Sequence, residues 1–137
     1  MFFKNKKKEF NNDLNKVAAL LIHAARIDEN FSNKEEEIIK KTLLKIGANH
    51  ENIKMIMQDA KNIEENSHQI LEFTKEVKNM DEDKKLTIVE TLWEIIYSND
   101  EADIYETNLM RRIAGLLYID SKIMGDIKEK IKNRKSK

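Results

Sequence analysis

Cysteine is missing from this chain, and with it go disulfides, thiolate zinc sites and cysteine nucleophiles. Proline is also missing and glycine occurs only three times, so the usual helix breakers and the glycine-rich loops that cradle phosphate have no material. No apolar run approaches the ~18 residues of a membrane span. The longest candidate, Val17 to Ile22, follows Glu9 and Asp13 and runs into His23 and Arg26, which is not the form of a secretory leader. Neither charge prevails: 25 basic and 25 acidic residues cancel, which argues against a nucleic-acid partner. Histidine is limited to His23, His50 and His68, with no pair one helical turn apart to hold zinc. With no nucleophile elbow either, the chain is not expected to be an enzyme.

What is present suits helices. Of the 137 residues, 40% are hydrophobic and 36% charged, a balance that fits one domain with solvated faces, and the lack of cysteine fits a reducing, cytoplasmic compartment. Apolar residues recur at helical spacing from Phe10 through Leu14, Val17, Leu21 and Ala24, predicting a first core-facing helix. Ser32 and Glu35 form the sequence signature of a capping box that opens a second helix, and Gly47 ends it. Further stripes predict a third helix from about Asn49, a fourth near Ile70 to Val77 and a fifth after Asp81. A sixth begins on an Asp103 and Glu106 capping box, and a seventh at Asp120 or Ser121. Gly115 in the sixth reads as a place where a neighbour comes close. His23 reads as a partly buried structural residue, Trp93 and the methionines as core, and Arg111, Arg112, Lys40 and Lys41 as a solvated outer face.

The stretch from Leu21 to Gly47 is restated from Leu92 onward at a constant offset of 71, so that Asp28 falls on Asn99, Ser32 on Asp103 and Glu35 on Glu106. The fold class that follows is all-α, a single-domain bundle of about seven helices with an internal pseudo-twofold repeat. Its limits are a basic N-terminal extension over 1–9, a helical domain over 10–132 and a basic tail over 133–137. Within the domain the halves span about 10–63 and 81–132, joined by a connector helix over 67–79.

Both repeated turns gather oxygen donors ahead of a helix. Asp28, Ser32 and Glu35 serve the first, and Asn99, Asp100, Glu101, Asp103 and Glu106 the second, with Glu94 one turn earlier. Hard cations such as calcium or magnesium favour clusters of this chemistry. An EF-hand is excluded by counting from Asp28, since its sixth position is Asn33 where glycine is required and its twelfth is Ile39 where glutamate is required. Helix capping accounts for Ser32, Glu35, Asp103 and Glu106 equally well, and leaves Glu94, Asp28 and Asp100 without a structural task. The basic ends, with Phe2 and Phe3, suggest peripheral contact with an anionic membrane, against a plain reading as solvated termini.

The run EFTKEV at Glu72–Val77, followed by LTIVETLWEIIYSNDEADIYETNLMRRIAGLL at Leu86–Leu117, resembles the TerB family of tellurite-resistance-associated proteins. The likeness spans roughly Phe10 to Lys132. It implies an all-helical domain serving interaction or sensing in stress and metal resistance. It also implies an acidic surface, suspected of cation binding, at Glu94, Asp100, Glu101, Asp103, Glu106, Asp28 and Glu35. The family's Asp-Gly pairs stand here as Asp28-Glu29 and Asn99-Asp100, and the loss of glycine and of carboxylates at Asn99 and His23 weakens any cation site. The expected function is a non-enzymatic interaction module docking a protein partner through its acidic surface. Divalent-cation binding or sensing is the alternative and a peripheral membrane adaptor the next; a homodimer is open.

Overall fold

The computed structural model describes residues 2–27, 32–66, 70–99 and 104–135, with side chains at 14–27, 32–66, 70–98 and 106–134. Among the described residues there are seven α-helices, one 3-10 turn and no strand. The helices are α1 (Phe2–Arg26), α2 (Asn33–Ile46), α3 (Ile53–Asn66), α4 (Leu71–Lys78), α5 (Glu82–Ile96), α6 (Ile104–Leu116) and α7 (Ser121–Lys135), and the 3-10 turn is Tyr97–Asn99.

Helix α1 is the centre of the molecule. Leu14, Val17, Ala18, Ala19, Leu20, Leu21, Ile22, Ala24 and Ala25 are each at most 1% exposed, so this segment is enclosed where the periodicity predicts a single stripe. A helix apolar on all sides belongs inside a fold, and α1 accordingly packs against α2, α3, α4 and α5. Its alanines let those neighbours come near, since interaxial distance follows side-chain size at the contact. The helix also begins at Phe2 where the stripe predicts Phe10, because the lysines and Glu9 of the basic extension are good helix formers and nothing there breaks the helix.

Four of the later helices are started by local chemistry. Ser32 and Glu35 make the expected reciprocal cap: the Glu35 N–H donates to Ser32 Oγ at 3.1 Å and the Ser32 N–H donates to Glu35 Oε1 at 2.9 Å. Asn49 and Asn52 build a similar loop before α3, with Asn49 Oδ1 accepting from the Asn52 N–H and Asn52 Oδ1 accepting from the Asn49 N–H. Asp81 accepts from the Lys84 N–H at 2.9 Å ahead of α5, and Asp120 from the Lys122 N–H at 3.0 Å ahead of α7. Helix α4 begins at Ile70 without a side-chain cap, and it is held by the buried Phe73, Thr74 and Val77. Replacing Ser32 with alanine removes one acceptor and is expected to cost about 1 kcal/mol of stability in urea denaturation.

Local features recur at the offset of 71. Among the described residues, Gly47 (φ 136°) and Tyr118 (φ 55°) have positive φ, and they close α2 and α6 respectively. Beyond each, the same Schellman-type bond forms, from the Ala48 N–H to the Leu43 carbonyl at 2.8 Å and from the Ile119 N–H to the Ala114 carbonyl at 3.0 Å. Glycine adopts this geometry freely, whereas tyrosine must be held there. Lys78 of α4 places its ammonium 4.4 Å from the centre of the Tyr118 ring, a cation–π contact that braces the strained position.

Two sequence expectations change. A Cβ on Gly115 would meet nothing within 4 Å, so no neighbour presses on that residue as expected. The basic C-terminus is not simply a solvated tail: α7 continues to Lys135, and Lys130 and Arg134 both reach Glu90 of α5, at 3.3 and 3.4 Å. Among the described residues no helix is long and apolar enough to cross a membrane.

Candidate functional site

Asp28, Asp100, Glu101 and Asp103 lie outside the described residues, and Asn99 is placed only as the last residue of the 3-10 turn. The remaining candidates are located: Ser32 and Glu35 at the start of α2, Glu94 on α5 and Glu106 in the first turn of α6. Glu35 is 1% exposed and Glu106 is 4% exposed, so both face inward at the start of their helices. The Glu35 carboxylate accepts from the Ser32 backbone and, at 3.0 Å, from the Ser32 hydroxyl, which holds its charge against the positive end of α2. Both carboxylates are therefore turned away from solvent.

Glu94 is half-buried on α5 and pairs with Arg134 Nη1 at 3.4 Å. Arg134 bridges it to Glu90, which also pairs with Lys130, so α7 neutralises both carboxylates of this α5 face. On their other side lies a cleft of about 200 Å³ between α2 and α5, lined in part by Lys41, Lys45, Glu90 and Glu94. Beneath it, Thr42 and Thr91 hydroxyls meet at 2.6 Å. Thr91 also donates its proton to the Thr87 carbonyl at 2.9 Å, so Thr42 is the donor of the pair. Distance along the chain hides these partners, since Glu94 and Arg134 are separated by 40 residues.

His23 is partly exposed beside the apolar body of α1, as the sequence suggests. Its Nδ1 lies 3.3 Å from Glu64 Oε1, and Arg26 holds the other oxygen of the same carboxylate. Glu64, only 11% exposed at its side chain, thus ties α3 to the end of α1. Nothing in the sequence singled Glu64 out; the one available signal was its place one helical turn beyond the α3 stripe residue Ala60. His23 also lines a cleft of about 470 Å³ with Ile27, Asn108, Leu109 and Arg112. At the offset of 71, His23, Ile38 and Lys41 correspond to Glu94, Leu109 and Arg112, so equivalent positions line both clefts. Among the described residues no three histidine or carboxylate side chains converge on a common point as metal ligands.

A third cleft, of about 230 Å³, lies among α5, α6 and α7, with Trp93 as part of its lining. Trp93 stacks with Tyr97, the ring centres 5.9 Å apart. Tyr97 is 6% exposed, and burial first, then the negative charge of Glu129, pushes its phenol above the ordinary range. A raised folded-state value favours the neutral phenol in the native protein. Stability from this group is complete below the unfolded value of about 10 and is lost as pH rises from there through the folded value. Urea denaturation between about pH 9 and 11 is expected to show a steeper loss for wild type than for Tyr97→Phe.

A single helical domain built on an enclosed α1, with capped amphipathic helices around it and clefts at their seams, is the class of protein that these features define. The family model for Tellurite resistance protein TerB matches residues 15–129, and the chain belongs to that family. No curated protein and no solved structure matches it.

Proposed function

We propose that this TerB domain is a non-enzymatic, cytoplasmic interaction module of the tellurite-resistance-associated type, and that it docks a protein partner through the acidic turn sequences at 28–30 and 99–103. What supports the reading is how the described acids are employed. Glu35 is buried in a cap, and Glu90 and Glu94 are held by Lys130 and Arg134. These three helix acids are thus engaged in holding the bundle together, and the docking role is assigned to the turns between the helices.

Affinity capture from native lysate on wild type and on an Asp28→Ala, Asp100→Ala, Glu101→Ala variant tests this reading. Asp103 is kept, so that the start of α6 is left alone. Partners held by wild type and by a Glu37→Ala control, and lost on the triple variant, are the expected result. Indistinguishable partner sets would overturn it. Repeating the capture with a chelator separates the cation reading, in which calcium or magnesium occupies the turns: partner loss on chelation, reversed by added cation, is its signature.

A further inference from the structure

We propose that the cleft among α5, α6 and α7 binds a small carboxylate carrying an apolar body. This surface is independent of the acidic turns. At about 230 Å³ the cleft is smaller than the ~300–1,000 Å³ that houses drug-sized ligands, so its occupant is small. Met110, Met124 and Trp93 give it apolar walls, and Arg111 and Lys128 line it as well. Arg111 is exposed and has no ion-pair partner among the described residues, although its repeat equivalent Lys40 pairs with Glu37 at 3.8 Å. The Lys128 ammonium stands 5.5 Å from the centre of a Trp93 ring. Two cations beside apolar walls select an anion with an apolar tail: the charge answers Arg111 and Lys128, and the tail displaces water from the methionines and the indole.

A further observation points to an occupant. On the α7 wall stands Gly125, whose missing Cβ would meet nothing within 4 Å. Packing against a neighbour therefore does not require glycine here; its effect is to keep the cleft open.

Trp93 is the sole tryptophan, so its fluorescence reports on the cleft directly. The full chain is titrated with hexanoate, and with hexan-1-ol and hexylamine as neutral and cationic probes of equal length. A saturable change in Trp93 emission with hexanoate alone is expected, together with saturation transfer from the protein to the hexanoate protons. Arg111→Gln and Lys128→Gln should each weaken binding about tenfold, the loss of one charge-assisted contact. Gly125→Leu adds a side chain on the cleft wall where a Cβ meets no neighbour, and should abolish binding while the melting temperature stays the same or rises. Absence of both signals, an equal response to hexan-1-ol, or undiminished binding by Gly125→Leu would each overturn the proposal.

Discussion

Leu21→Ala is expected to lower the stability of the protein by about 2–5 kcal/mol, among the largest effects of any single truncation in the chain. Leu21 is completely buried in the last third of α1, a helix that contacts four others, so no one neighbour can collapse into the space without parting from another. The cost accordingly joins lost transfer free energy to a cavity that relaxes poorly. Against the ~5–15 kcal/mol that holds typical domains together, this is a large fraction, corresponding to a fall in melting temperature of roughly 10 °C. Calorimetry provides the check. Met55→Ala is the contrasting control, because Met55 is 64% exposed and its loss should change little.

Phe73→Ala should cost about 3–5 kcal/mol by area and volume alone, but a different signature is expected from its setting. Among the described residues Phe73 is the largest fully buried side chain, and it sits on α4, which has only 8 residues and no side-chain cap. A helix so short is not stable by itself, so α4 depends on its packing against α1. Once the phenyl ring is gone, releasing α4 is cheaper than unfolding the whole domain. Native-state hydrogen exchange should therefore show the amides of Thr74 to Lys78 opening far more readily than those of α1, with a reduced denaturant slope for the global transition. Uniform loss of protection through both helices would contradict this ordering.

Sequence and structure agree most closely where the physics is local. The Ser32–Glu35 box, the Asp81 cap and the Gly47 terminus each depend on residues within a few positions of one another, and all three form. Seven helices and the TerB likeness were legible for the same reason, the second resting on a motif of contiguous residues. Enclosure of α1 was harder to read, because Ala18, Ala19 and Ala25 are too small to register as a hydrophobic stripe and are buried only when neighbours arrive. The candidate site was least legible. Glu94 was left without a task by its own surroundings, and it finds Arg134 on a distant helix; His23 finds Glu64 in the same way, 41 residues along. Arg111 read as a solvated face residue, yet it lines the cleft with Trp93 and Lys128 only because α5, α6 and α7 meet there.

The enclosure of α1 bears on the order in which the molecule can assemble. Every helix that covers α1 lies later in the chain, as far as α5. Helical proteins dominated by local contacts fold fastest, and a central helix whose covering comes from distant segments forgoes part of that advantage. While the chain is being made, the apolar surface of α1 is covered only in part, by α2, until α3, α4 and α5 have emerged. That interval, rather than the finished bundle, is when the protein is most exposed to aggregation.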